Sequence, residues 1–234
     1  MARCASVRDQ STSGLPTLGG KVGGCCLTTQ PTRPRGRRCS RSSVGARAPV
    51  AADVSRHNPV LAAICIPRFP EVAASWLQEL RARYDPKYAP RVRPHVTLVF
   101  PTNVLREAPF VAHVISCSRG VNSGKVEFSS AREFAEENAD AHLVYLLPSF
   151  GAELFLQLHE KLYSGPLGPQ THSAGAYVPH ITLGRFSSAD AAATVAADIN
   201  AASSRITGEV EAVDIVHVSD DLVRHVHTEP LRAG

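Results

Sequence analysis

The chain has 234 residues, of which 44% are hydrophobic, enough to fill the core of one domain or of two small ones. It contains no apolar run of about 18 residues, so the sequence predicts no transmembrane helix. Residues 1–52 hold nine basic residues and one acid, whereas the remaining residues hold 16 basic and 20 acidic ones. The folded part is therefore mildly acidic, which argues against a broad nucleic-acid-binding face but not against a small phosphate ligand.

Residues 1–56 show neither helical nor strand periodicity and are rich in Gly, Ser, Pro and Arg. Such a composition buries too little apolar surface to offset its ordering entropy, so we predict a disordered basic arm followed by one domain over residues 57–232. Three interpretations of the arm stay open: an organelle transit segment, a basic arm that holds RNA loosely, and upstream sequence from a mis-assigned start. The Arg and Ala usage is typical of a GC-rich genome and favours the interpretation as upstream sequence from a mis-assigned start, with translation beginning at Val50 or Val54.

Only two of the six cysteines, Cys65 and Cys117, lie in the predicted domain, each among apolar residues. The sequence has no Cys-x-x-Cys pair and no secretory signal with an apolar core. We therefore predict two buried free thiols and a cytoplasmic, reducing compartment.

The first half of the domain shows alternating strand and helix patterns. Apolar periodicity predicts strands at 60–66 and 95–100, helices at 70–84 and 109–118, and a strand pair at 125–134 and 142–147. The apolar face of the first helix is formed by Val72, Trp76, Leu77 and Leu80.

The second half passes through a similar order of elements, although it lacks a clear opening strand. The patterns predict a helix at 151–163, a loop at 164–176, a strand at 180–186, a helix at 188–202, and closing strands at 210–218 and 222–228. Ser187 or Ser188 is suited to cap the last helix. We predict an α+β domain with an internal duplication, its halves related by a pseudo-twofold axis.

One pentapeptide, Pro-His-[Val/Ile]-Thr-Leu, occurs once in each half, and the two copies are 85 positions apart. Successive side chains of a strand point to opposite faces, so His95 and Thr97 share one face, as do His180 and Thr182. The intervening aliphatic residues then anchor each strand in the core. A single His-x-Thr is usually inert, whereas two matched copies indicate one cleft with two imidazoles and two hydroxyls.

That set of side chains suits cleavage of a phosphodiester without a metal. One neutral histidine takes a proton from the attacking water or hydroxyl, and the other, as imidazolium, gives a proton to the departing ribose oxygen. An ordinary His pKa of about 6.5 makes both forms accessible near neutral pH. The threonine hydroxyls donate to the non-bridging phosphate oxygens. We predict that His95, Thr97, His180 and Thr182 are catalytic, with no metal and no other cofactor.

With these motifs the chain resembles the 2H phosphoesterase superfamily over residues 59–231, and most closely its 2′-5′ RNA ligase (LigT-like) branch. The signature of that family is two His-x-[Thr/Ser]-Leu motifs, which HVTL at 95–98 and HITL at 180–183 match. The resemblance implies a bilobal α+β fold, with two antiparallel sheets, helices outside and an active cleft between the lobes. It also implies hydrolysis of 2′,3′-cyclic or 2′-5′ phosphodiesters, or the reverse joining of RNA ends, without ATP or metal.

Arg185 and Tyr177, which flank the second motif, are candidates for binding the substrate. Each lies three residues from a motif residue and so points to the opposite face of a regular strand, unless the motif proline bends the chain before it. Tyr177 is an aromatic on which a base can stack. His225 and His227 share a strand face, but the sequence supplies no third metal ligand, so we predict exposed strand residues there.

The sequence therefore favours an enzyme that acts on RNA ends or on small nucleotide 2′,3′-cyclic phosphates, as a monomer without membrane attachment. The alternative is an RNA-end or nucleotide-binding module that keeps the fold but does little chemistry. Binding alone does not require both a base and an acid, so the paired histidines favour the enzyme.

Overall fold

A computed structural model describes residues 60–136, 140–170, 176–202 and 205–234; the predicted disordered arm lies outside them. In these residues the strands are β1 (Leu61–Cys65), β2 (Val96–Thr102), β3 (Gly124–Ala135), β4 (His142–Phe150), β5 (Ile181–Phe186), β6 (Ile206–Val210), β7 (Ala212–Val218) and β8 (Val223–Pro230). The helices are α1 (Glu71–Tyr84), α2 (Glu107–Ser118), α3 (Ala152–Leu162) and α4 (Ala189–Ala201), and a 3₁₀ helix covers Gly165–Gln170.

The strands form one antiparallel sheet in the order β6-β3-β4-β5-β2-β1-β7-β8. The two central strands, β2 and β5, are joined by the pairing of Val96 with Ile181, and neither of these side chains is exposed. The α+β class is confirmed. The predicted division into two sheets is wrong, because this central pairing makes the sheet continuous, and the pseudo-twofold axis stays a prediction.

Buried aliphatic side chains on one face of the sheet hold the central strands in place. Leu98 of β2 and Leu183 of β5 are fully buried in the main core, and α3 packs against β2 while α4 packs against β4 and β5. Burial of one such side chain is worth about 1.5–3 kcal/mol relative to exposure. β1 is buried on both faces, because Ala62 and Ile64 join Val216 in a second cluster on the other side of the sheet.

The buried face of α1 is confirmed at Trp76, Leu77 and Leu80, which lie in or against the main core, but the prediction is wrong for Val72. Val72 is 84% exposed, whereas Arg81 is only 2% exposed and lies one turn beyond the buried Leu77. Apolar spacing alone placed Val72 inside, but helix packing selects the face that carries Leu77 and Arg81. The guanidinium of Arg81 therefore lies in the interior of the domain.

One C-terminal strand was not predicted. The strand expected at 210–218 is β7, which pairs with β1, but it is preceded by β6, which pairs with β3 at the other side of the sheet. Gly208 weakened the strand pattern of β6. A side chain there is excluded by the Phe69 ring, which would lie 2.7 Å from an added Cβ.

The other predicted helices and strands are confirmed with small changes in their ends. The predicted loop at 164–176 instead contains the 3₁₀ helix Gly165–Gln170, and its residues 171–175 lie outside the described ones. Ser188 caps α4 as expected, its Oγ accepting from the amide of Ala191 at 3.4 Å. Both cysteines of the domain are free; Cys65 is buried as predicted, but Cys117 is only partly buried. None of the described helices combines the length and apolar character that a membrane crossing needs.

Candidate active site

The two motif histidines lie at the entrances of the two central strands. His95 immediately precedes β2, and His180 immediately precedes β5. Each follows a buried proline, whose ring fixes φ near −65° and keeps the chain extended as it enters the strand. The local sequence therefore sets the direction of each imidazole, and the pairing of β2 with β5 brings the two motifs together.

The register between β2 and β5 places all four predicted residues on one face of the sheet. The central aliphatic residues of the two motifs pair with each other and point into the core, so their neighbours point to the opposite face. Counting one residue outward along each antiparallel strand sets His95 across from Thr182, and Thr97 across from His180. Directly opposed Cβ atoms lie about 4.5–5.5 Å apart, so each histidine is beside the threonine of the other motif.

The backbone holds both imidazoles in the same way. Nδ1 of His95 lies 2.8 Å from the carbonyl oxygen of Arg93, and Nδ1 of His180 lies 2.7 Å from that of Val178. Because a carbonyl oxygen can only accept, Nδ1 carries the hydrogen in each ring, and the lone pair of the neutral ring is on Nε2. Both motifs therefore present Nε2 as the atom that can take or give a proton.

Burial lowers the pKa of both His95 and His180 to about 4. The hydrogen bond to a backbone carbonyl opposes this effect, while the charges of Arg81 and of His180 lower the pKa of His95 further. Both rings are thus neutral at pH 7 when the cleft is empty, in contrast to the ordinary pKa expected from sequence. An anion placed beside the rings would reverse part of the shift, since an opposite charge at close range favours the imidazolium.

An aromatic stack supports His180. The ring of Tyr145, on β4, lies parallel to the imidazole with 3.5 Å between centroids, and Phe134, on β3, stacks on Tyr145 at 4.7 Å. In the described parts of the chain no ring stacks on His95 in this way. The plane of His180 is therefore fixed by side chains on two neighbouring strands, an arrangement that local sequence does not reveal.

Arg81 is a residue of this region that the sequence reasoning missed. Its Nη1 donates to the carbonyl oxygen of Val92 at 2.6 Å, and its Nη2 lies 3.8 Å from the carboxylate of Asp85. Both charged side chains are buried, and the contact to Val92 ties down the segment that leads into His95. The available signal was spacing, because Leu77, Arg81 and Asp85 follow one another at intervals of four along one helix face.

Tyr177 lies in the interior next to β2. Its hydroxyl donates to the carbonyl oxygen of Thr97 at 2.8 Å, and its ring stacks on His159 of α3 at 3.7 Å. His159 in turn places Nδ1 2.8 Å from the carbonyl oxygen of Leu98. These contacts indicate that Tyr177 holds the first motif strand in position; base stacking by Tyr177 stays a prediction.

Arg185 lies on the same face of the sheet as Thr182, contrary to the parity expected for a regular strand. Tyr145 pairs with Thr182, but Leu143, two residues away on β4, pairs with Arg185. β5 therefore contains an extra residue between the two pairs, which restores Arg185 to the face of the site. Its exposed guanidinium forms a two-pronged ion pair with Glu136, Nη2 lying 2.7 Å from Oε1. Binding of substrate by Arg185 stays a prediction.

His225 and His227 do not form a metal centre with a third ligand in the described residues, where no group of three His, Cys, Asp or Glu side chains converges. His227 lies 3.3 Å from a carboxylate oxygen of Glu229. His225 instead contacts Thr228, with 2.8 Å between Nε2 and Oγ1.

We expect Tyr177→Phe to destabilise the fold by about 1–3 kcal/mol, because the carbonyl of Thr97 would lose its buried donor. Urea unfolding of the variant and of wild type measures this difference. Tyr84→Phe is the matched control, since in the described residues that hydroxyl makes no hydrogen bond while its ring packs on Phe186. Equal stability of both variants would show that the Tyr177 hydroxyl does not hold β2.

The chain is similar to several known proteins. A family model described as the 2′-5′ RNA ligase superfamily matches residues 69–222. A protein of Bacillus licheniformis, named as a proposed phosphoesterase, is 31% identical over 140 residues, which cover 59% of this chain and 77% of that protein. Among solved structures, Escherichia coli LigT in complex with 3′-AMP aligns with a TM-score of 0.49 and 15% identity, covering 74% of this chain and 98% of LigT. Usb1 of Kluyveromyces marxianus gives a TM-score of 0.48 and 13% identity, covering 74% and 99%.

Proposed function

Because the chain belongs to the 2′-5′ RNA ligase superfamily, we propose that it is a metal-independent phosphodiesterase or 2′-5′ RNA ligase-like enzyme. Its substrates are 2′,3′-cyclic or 2′-5′ RNA phosphodiesters, at RNA ends or in small nucleotides. The observation that supports this proposal is the opposition of two His-x-Thr motifs across β2 and β5, each histidine beside the threonine of the other motif.

The two histidines divide the proton transfers between them. One neutral imidazole accepts, at Nε2, the proton of the attacking water or hydroxyl. The other, protonated in the presence of the phosphate anion, donates from Nε2 to the departing ribose oxygen. Since both Nδ1 atoms donate to backbone carbonyls, neither ring needs to change its tautomer, and the roles exchange when the reaction runs backwards.

The phosphate is held from the side by hydroxyl and guanidinium groups. Thr97 and Thr182 donate to the non-bridging oxygens, whose negative charge grows as phosphorus becomes five-coordinate. Arg185 shares their face of the sheet and reaches the phosphate by exchanging its carboxylate partner, Glu136, for the substrate. A planar guanidinium suits this exchange, because it pairs with carboxylate and phosphate oxygens in the same two-pronged geometry.

We expect the purified chain to hydrolyse a nucleoside 2′,3′-cyclic phosphate at the same rate with and without EDTA, because the proposed proton transfers need no metal. Phosphorus NMR follows the conversion of the cyclic diester to a monoester. Loss of turnover in EDTA with recovery on adding a divalent ion would contradict the metal-independent mechanism. Nucleotide binding without turnover would favour the alternative, a binding module.

A further inference from the structure

A groove beside His95 is not used by the mechanism proposed above. It has a volume of about 410 Å³ and lies over β1, β7 and β8, on the face of the sheet opposite the main core. We call it the β7–β8 groove; its lining comprises Ile64, Ile66, Arg91, Val92, Arg93, Asp214, Val216, Val223, His225 and Thr228. The volume is in the range of sites for small organic ligands.

Strand pairing connects the β7–β8 groove directly to the motif residues. Thr97 of β2 pairs with Ile64 of β1, Ile64 pairs with Asp214 of β7, and Asp214 pairs with Thr228 of β8. Directly paired residues share a face of the sheet, and adjacent strands lie about 4.8 Å apart. Asp214 is therefore about 10 Å from the catalytic threonine along one row, which is the distance between a phosphate and the far side of its attached nucleoside.

The groove combines apolar and polar groups. Its floor is apolar, because Ile64, Val216 and Val223 belong to the second hydrophobic cluster. A polar group lies on β7 and β8 in the row of Ile64: the Thr228 hydroxyl donates to Oδ1 of Asp214 at 2.5 Å and accepts from Nε2 of His225 at 2.8 Å. A flat apolar ring fits the floor, and the remaining oxygen of Asp214, Oδ2, is an acceptor for the hydroxyl or amino groups of such a ligand.

The rim of the groove is basic and starts at the active site. Arg93 is exposed, and its carbonyl oxygen holds Nδ1 of His95. Arg91 donates to the carbonyl oxygen of Asp220 and stacks over the Tyr88 ring at 5.4 Å, which fixes it at the other side of the rim. Arg93 lines the groove, and in the described ranges no acid forms an ion pair with it.

On the opposite side of the site, the ring of Tyr145 is covered on one face by His180 and on the other by Phe134, so it offers no face to a flat ligand. We propose that the β7–β8 groove binds the nucleoside attached to the reacting phosphate, with the base on the apolar floor. This rests on the proposed function, since it places the phosphate between the two His-x-Thr motifs.

The test compares a ligand that has a base with one that has none. Val223→Trp fills the groove, and Leu222→Trp is its matched control, because Leu222 is the exposed neighbour and does not line the groove. We expect Val223→Trp to weaken inhibition by cytidine 3′-monophosphate about tenfold or more, the size of effect that one stacked base supplies. Inhibition by inorganic phosphate should stay unchanged, and Leu222→Trp should alter neither.

Equal inhibition of Val223→Trp and wild type by cytidine 3′-monophosphate would overturn the proposal. It would also be overturned if Val223→Trp weakened inhibition by inorganic phosphate as much as inhibition by the nucleotide. If circular dichroism shows that Val223→Trp does not fold, Thr228→Val replaces it. Weaker inhibition by cytidine 3′-monophosphate, with inhibition by inorganic phosphate unchanged, then supports the proposal, and unchanged inhibition by both ligands overturns it. If wild type turns over no phosphodiester, the proposed function fails. Calorimetric titration of the same two ligands then tests the groove by itself.

Discussion

Replacing either His95 or His180 by alanine should lower kcat/KM for a nucleoside 2′,3′-cyclic phosphate by about 100-fold or more, the usual scale of general acid–base catalysis. Each imidazole is anchored through Nδ1 and presents Nε2 to the same cleft, so loss of either ring removes the base or the acid. The decrease in kcat/KM of the double variant should be much smaller than the product of the two single decreases, because the two rings act as one unit.

The matched control is His217→Ala, a histidine of β7 outside the site, which should retain wild-type turnover. Unfolding curves of all variants separate loss of catalysis from loss of fold. Near-wild-type activity in either of the two motif variants would reject the two-histidine mechanism, however well the motifs match the family.

The pH dependence should differ between the free enzyme and its complex with substrate. The productive form needs one neutral and one protonated histidine, and burial lowers both pKa values to about 4 in the empty cleft. Above that pH the singly protonated form declines about tenfold per pH unit, so kcat/KM should fall as pH rises through 5 to 7. The phosphate anion raises the pKa of the donor in the complex, so the basic limb of kcat should lie at higher pH.

NMR titration of the imidazole protons, assigned with the two single variants, measures the pKa values directly. Midpoints near 4 without ligand, with at least one rising when inorganic phosphate is added, are the expected result. Midpoints near the ordinary value of about 6.5 in the empty protein would show that the cleft does not desolvate the rings.

The folding free energy should depend on the same two groups. Because their pKa is lower in the folded protein than in the unfolded chain, the unfolded chain binds more protons between pH 6.5 and 4. Stability is therefore present above the unfolded pKa and is lost as pH falls toward the folded one. In urea titrations, the free energy of unfolding of the double variant His95→Gln, His180→Gln should fall less over this pH interval than that of wild type. An equal fall in both proteins would contradict the lowered pKa values.

Local sequence determined which side chains of each motif share a face of the sheet. The period of two in a strand is a property of the backbone alone, so His95 and Thr97 had to share a face wherever β2 was placed in the sheet. The same holds for His180 and Thr182 in β5. Helix and strand periodicity likewise predicted most elements, because their amphipathic patterns are local consequences of burying one face.

Only the tertiary structure decided how these pieces act together. The pairing of β2 with β5 joins residues 85 positions apart, and a strand pattern does not name its partner. The extra residue in β5 that turns Arg185 toward the site depends on its register with β4, and the burial of Arg81 depends on how α1 packs. The lowered pKa values have the same origin, since desolvation is set by every element around the cleft and not by the residues next to each histidine in the chain.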